Sequence, residues 1–429
     1  MQIKTPSLKH TLYFIFCLWI IFLIWYGRGY FYDETPDAGR EAFFAGSDRH
    51  IPDETNATVG ISGLAAPIDA NSLQFGRAAM IAFFQDNKNL KLSDNTLKFI
   101  SVSKENAIDC KLPNAVEIED EVCTRISEVG GLVAKNSVLI KRYTNLYNMH
   151  EWQDDPVNNG QNLINLNRLI AANIKRLILN KNYDAAYSAW RDNHVFISRV
   201  LHQENTMITR AIFQVLDGIN LASLEDLLYS NAEISVNYNK ELSLLLKPQG
   251  LTRYNINNML RAEYRFFNNH LFSTKDFNKR VHVEYMRNRF YRAQLEFLQK
   301  ALMPAQSLSA SQRKLKDKYT FSTASVFLKM MLPHGLSNIL INQTLSGTSG
   351  GLFLVSSMHS KSAKINLLHL KLDIQQQSIN SSQIQTYLNG VSKEYYCPFT
   401  DRPMVFDTVK KTIYCENAES KERVAEVRL

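Results

Sequence analysis

An uninterrupted apolar run near the N-terminus limits what the rest of this chain can become. Leu12 to Tyr26 are fifteen apolar residues in a row, preceded by Lys4, Lys9 and His10, and no charge falls between His10 and Arg28. Trp25, Tyr26, Tyr30, Phe31 and Tyr32 cluster at its far end. A basic flank, an apolar core and amphipathic rings at the water boundary are the pattern of a helix that enters a membrane with its basic end in the cytoplasm. At about 1.5 Å per residue the uncharged stretch 11–27 is roughly 25 Å long, the short end for a span. A cleaved secretory signal is the alternative. It needs small residues at its cleavage site, whereas bulky rings surround this one. A retained signal-anchor within residues 1–32 is therefore expected, with the bulk of the chain outside the cytoplasm. Residues 33–58 are polar and punctuated by Pro36, Gly39, Gly46 and Pro52, and are expected to be a tether.

Compartment then bears on the cysteines. Cys17 lies inside the apolar run, and the other four fall into two local pairs, Cys110 with Cys123 and Cys397 with Cys415. Outside the cytoplasm, close pairs of this kind form disulfides. Zinc is the rival, but neither pair has C-x-x-C spacing and no histidine lies near either one. No metal or cofactor is expected.

Helical periodicity dominates the remainder. Leu163, Leu166, Ile170, Ile174 and Leu177 repeat at gaps of three and four, as do Tyr291, Leu295, Leu298 and Leu302. Val122, Ile126, Val129 and Val133 follow the acidic run Glu117 to Glu121, which suits a helix N-terminus. Further helices are predicted around 183–202, 204–216, 220–230, 254–270 and 360–379. Strand candidates are few: Leu97 to Val102, and a hairpin of Met404 to Phe406 with Thr412 to Tyr414. The predicted class is mainly α, with antiparallel helix pairs over 59–390, a small disulfide-tied β-hairpin unit over 391–420, and a tail over 421–429. Asn182 to Tyr187 with Trp190 looks like the first helix of a tetratricopeptide repeat, but no second copy stands at the required period.

Charge is concentrated rather than spread. The chain's formal net charge is +8, and between Arg253 and Lys318 fourteen Lys/Arg face only five acids. Aromatic residues interleave with them. In the cytoplasm this pattern suggests nucleic acid. Outside it, the available anions are lipid headgroups, lipopolysaccharide phosphates and cell-wall peptides. The candidate contact residues are Arg261, Arg265, Lys279, Arg280, Arg287, Arg289, Arg292, Lys314 and Lys316. Solvated helix faces over an aromatic core are the simpler account of the same block.

Catalytic signatures fail on inspection. Gly347-Thr348-Ser349-Gly350-Gly351 matches G-x-S-x-G, yet no Asp or Glu lies between Ser349 and His369, the last histidine, so the acid-then-histidine order of that family is impossible. His282-Val283-Glu284 lacks the partner P-C-x-x-C of the zinc deaminases. No catalytic residue is assigned. Met330 to Ser360 has no formal charge, but its polar residues make it a poor second span, which would also put Cys397 and Cys415 on the reducing side.

The stretch Tyr396-Cys397-Pro398-Phe399-Thr400-Asp401-Arg402-Pro403-Met404-Val405-Phe406 resembles a recurring ending of bacterial envelope proteins. Ile61 to Pro67 and Tyr183 to Arg199 are similar to segments of uncharacterised proteobacterial proteins with one N-terminal membrane segment, which also carry a cysteine pair where Cys110 and Cys123 stand. The sequence departs at Cys397, where the common ending has Asp, in keeping with an extra disulfide to Cys415. The resemblance implies a single-pass bacterial inner-membrane protein whose bulk is periplasmic, and it brings no activity. The expected role is an interaction or scaffold module whose partner is an envelope protein, an anionic lipid or the cell wall, without nucleic acid. The alternative is an envelope hydrolase acting on cell-wall or lipid substrates.

Overall fold

Backbone hydrogen bonds are closed locally over most of the described residues, so the architecture is helical. The computed structural model describes residues 33–45, 51–84, 129–152, 160–270, 282–308, 311, 351–417 and 422–429, together with Phe16, Trp19 and Ile20. Fourteen α-helices lie among the described residues. They are α1 (Ala38–Phe44), α2 (Ala57–Ser62), α3 (Ser72–Phe84), α4 (Val129–Lys135), α5 (Ser137–Asn145), α6 (Gly160–Leu179) and α7 (Tyr183–His202). Then follow α8 (Met207–Ser230), α9 (Ala232–Asn237), α10 (Asn239–Leu245), α11 (Ile256–His270), α12 (Val283–Ala301), α13 (Gly351–Gln376) and α14 (Ile384–Gly390). The chain ends in a three-stranded antiparallel sheet, β1 (Val405–Asp407), β2 (Thr412–Glu416) and β3 (Arg423–Arg428), in that spatial order.

Helices α6, α7 and α8 pack pairwise, joined by short connections, and α13 lies against α8 and β3. The stripe predicted for α6 is its buried face: Leu163, Leu166, Ile170 and Ile174 are all buried. For α12 the period is correct but the face is rotated. Met286, Phe290, Tyr291, Gln294, Phe297 and Ala301 are buried, while Leu302 is 65% exposed. The helix spends Gln294 on the inside because its side-chain amide donates to the Leu260 carbonyl of α11 at 3.0 Å.

The two helices expected over 204–216 and 220–230 are one helix, α8. Glycine ordinarily weakens a helix interior by about 1 kcal/mol, and Gly218 marks the expected break. Here it serves packing: a Cβ would stand 2.7 Å from the Lys361 ammonium of α13. Helix α13 begins at Gly351, ahead of the expected 360, where a Cβ would meet Phe297 at 2.9 Å and Met207 at 3.1 Å. Helices α2 and α3 likewise cross with backbones almost touching, since a Cβ on Gly76 would lie 2.1 Å from the Val59 carbonyl.

Two segments predicted to be loose are built into the fold. The tether contains α1 and the start of α2, with Arg40, Ile51 and Asn56 buried. The expected tail 421–429 carries β3, which covers one edge of the hairpin and is tied to α8 and α13 by the Arg428 amide on Glu225 and the Lys364 ammonium on the Glu426 carbonyl. A polar strand becomes stable when both its edges find partners.

Cys397 and Cys415 form the predicted disulfide. With a sequence separation of 18 it contributes on the order of 3 kcal/mol by restricting the unfolded chain. Cys110, Cys123, the strand candidate 97–102 and the acidic run 117–121 lie outside the described residues. So does the predicted span 11–27, apart from Phe16, Trp19 and Ile20. Among the described residues no helix is long and apolar enough to cross a membrane.

Candidate functional site

An extensive polar network among the described residues joins residues 33–44 to the helix pair α11–α12. Asp33 caps α12: its two carboxylate oxygens accept from the Glu284 and Tyr285 amides at 2.8 and 2.9 Å. A carboxylate there satisfies amides that a helix leaves without internal partners and meets the positive end of its dipole. Asn288, 1% exposed, reads the next turn of chain. Its Oδ1 accepts from the Asp37 amide (3.1 Å) and Arg40 Nη1 (3.0 Å), and its Nδ2 donates to the Thr35 carbonyl (2.8 Å) and Glu34 Oε2 (3.0 Å). Both donor and both acceptor positions of the amide are thereby filled.

Arg40 is buried and ion-paired with Glu284 at 2.8 Å and Glu41 at 2.6 Å. Burial alone would lower its guanidinium, but the bonds to Glu41 and Glu284 carry it above the ordinary arginine value. Apolar contacts complete the seat. Phe44 stacks on Tyr264 with ring centroids 3.7 Å apart, and Phe43 lies under the Arg261 guanidinium at 5.2 Å. Asp37 caps α1 through the Gly39 and Arg40 amides. What this arrangement does chemically is hold an acidic, aromatic peptide segment by its carboxylates and its backbone.

A second polar cluster lies in the core. Tyr143, Asn167, Asn193 and Asn220 form a ladder across α5, α6, α7 and α8, with links of 3.0 to 3.2 Å, and the Trp190 indole donates to the Asn220 carbonyl at 3.0 Å. Beside it the Arg253–Asp217 pair is buried at 3.0 Å. His194, stacked on Trp190, is pushed down to about 4 by burial and by the Arg253 charge. Glu263 is pushed up to about 7 by burial, although the Met207 amide at the start of α8 donates to it. These groups lock neighbouring helices in register, since a slip would strand each of them without a partner.

Five of the nine sequence-predicted contact residues are described, and each is engaged by a neighbouring side chain. Arg261 and Arg265 both pair with Glu204. Arg287 pairs with Glu284, Arg289 donates to the Tyr285 hydroxyl, and Arg292 faces Glu34 and Asp37 at 3.6 and 4.0 Å. Lys279, Arg280, Lys314 and Lys316 lie outside the described residues, as does Ser349. Charge counting along the sequence missed the acidic strap because its members face α12 from about 250 positions away. The residues it overlooked are Asp33, Arg40 and Asn288, and only the Asp37 cap carried a local signal. Among the described residues no group of three or more His, Cys, Asp or Glu could hold a metal ion.

The fold and this junction define a helical array with a peptide strap seated on one helix pair. No family model matches the chain, and no curated protein or solved structure is similar to it.

Proposed function

We propose that the chain is an inner-membrane protein of the bacterial envelope, crossing once through residues 11–27 and exposing its helical domain to the periplasm as an interaction or scaffold module. The docked strap carries this reading. In sequence it begins six residues after Gly27, so little chain separates the proposed anchor from the domain. The Cys397–Cys415 disulfide adds support, because such bonds persist in oxidising compartments. Phe16, Trp19 and Ile20 are helical with exposed side chains, as a lipid-facing helix would be. Contact with anionic envelope components falls to the basic side chains that keep exposure, such as Arg292 at 59%.

Carbonate extraction combined with protease digestion of spheroplasts tests the placement. The chain should stay in the membrane pellet, and its domain should be digested from the periplasmic side. Recovery in the soluble fraction overturns it. Cross-linking in intact cells followed by capture of the anchored protein tests the module, and a specific covalent partner is the expected product.

A further inference from the structure

One buried cation finds no acceptor among the protein's own groups. Lys371 of α13 is 0% exposed, and its ammonium, which carries three donors, makes no hydrogen bond. Burying such a group is costly unless something replaces the hydration it gives up. It lies where α13 meets the last turn of α8 and the end of β3. The Tyr229 ring of α8 is 5.8 Å from the Lys371 ammonium and 4.8 Å from the Arg428 guanidinium of β3. Tyr229 is itself 56% exposed, so the cluster lies at the edge of the domain.

The charges gathered there do not cancel. Glu225, Lys364, Arg428 and Asp226 all act on Lys371. Both acids are already engaged: Glu225 by the Lys364 ammonium and the Arg428 amide, and Asp226 by the Lys175 ammonium at 3.1 Å. Lys175, Lys364, Lys371 and Arg428 therefore face two carboxylates, which leaves a positive excess. Burial draws the Lys371 ammonium down to about 8, and Lys364 and Arg428 push the same way against Glu225 and Asp226.

We infer that Lys371, with Lys364 and Arg428 beside it, forms a binding site for a small tetrahedral oxyanion of the phosphate or sulfate class. Several oxygens on one anion can accept from an ammonium and a guanidinium together, and such charge-assisted bonds are the strong ones. The positive excess disfavours a metal cation. A water molecule would fill the donors but leave the charge unbalanced. The site is independent of the anchor and of the scaffold reading above.

Thermal melts of the full chain test it, with inorganic phosphate titrated at constant ionic strength against chloride so that general screening is held fixed. Phosphate should raise the melting temperature saturably. Lys371→Met keeps the length of the side chain and removes its charge. It should melt higher than the parent without phosphate, and its phosphate affinity should fall by about tenfold or more. Arg428→Gln, at a partly exposed position, should weaken the response while leaving the core intact. Glycerol 3-phosphate is run in parallel. Saturable stabilisation by either compound supports the site, and the tighter one distinguishes a free anion from the phosphate group of a larger molecule. A parent protein that responds no more to either than to chloride overturns the proposal, as does an equal response in Lys371→Met. Should Lys371→Met fail to fold, unchanged phosphate affinity in Arg428→Gln overturns it.

Discussion

Asn288 shows how much one side chain decides. Its amide makes four hydrogen bonds to residues 34–40, so truncation leaves the Thr35 carbonyl, the Asp37 amide and the Arg40 guanidinium without it. Asn288→Ala is expected to destabilise the chain by about 2–3 kcal/mol. The same variant should open residues 33–44 to protease. Thermal melts and limited proteolysis check both; an unaltered melt would mean the strap contributes nothing. Glu263 gives a prediction of opposite sign. Burial pushes its carboxyl up to about 7 in the folded state, above the ordinary glutamate value of 4.5, so the folded state holds the extra proton between those values. Its contribution is fully present below 4.5 and lost as pH rises through 7. Glu263→Gln keeps an acceptor for the Met207 amide and removes the ionisation. It should stabilise by about 3 kcal/mol at pH 8 and leave stability unchanged at pH 4, as read by denaturant titration at the two pH values.

At the scale of elements, helix ends show where local sequence and backbone disagree. Helix α6 stops with the Asn182 amide on the Leu177 carbonyl and the Lys181 amide on the Ile178 carbonyl, and Lys181 has φ 60. This is the C-terminal motif in which glycine is usual, because a Cβ is strained in the left-handed region. Helix α13 ends the same way at Ser378, φ 51. Lys181→Gly is therefore expected to raise stability by about 0.5–1 kcal/mol, net of the greater freedom it gives the unfolded chain. A lower melting temperature would refute that account. Gly218 makes the converse point. It looks like a helix break in sequence and is a packing glycine in the fold, because its partner Lys361 stands more than a hundred residues away.

For the molecule as a whole, buried titratable groups set the response to acid. His194 and His359 are each pushed down to about 4 by burial, with the Arg253 charge acting further on His194. For each, the unfolded chain binds the extra proton between about 4 and 6.5. Stability is then complete above 6.5 and lost as pH falls towards 4, by about 3 kcal/mol per histidine. Glu263 opposes one of them across most of that window, so net stability should rise with pH from 4.5 to 6.5 by roughly one histidine's share, about 3 kcal/mol. Denaturant titrations across that range read the slope, and a flat profile would refute the burial of these groups.

The sequence by itself determined the helical class, the buried stripe of α6, the extent of α7, and the Cys397–Cys415 pairing. Each depends on residues within a few turns of one another, where periodicity and spacing act directly. Only the tertiary structure decided that 33–44 is a seated strap, that 423–428 is a strand, that α8 is continuous, and that the described arginines of the basic block are engaged by neighbouring side chains. Those outcomes depend on Asn288, Lys361, Glu204 and Glu225, whose partners are brought close by packing alone. A polar segment with remote partners has the same composition as a linker, and nothing in its own residues distinguishes the two.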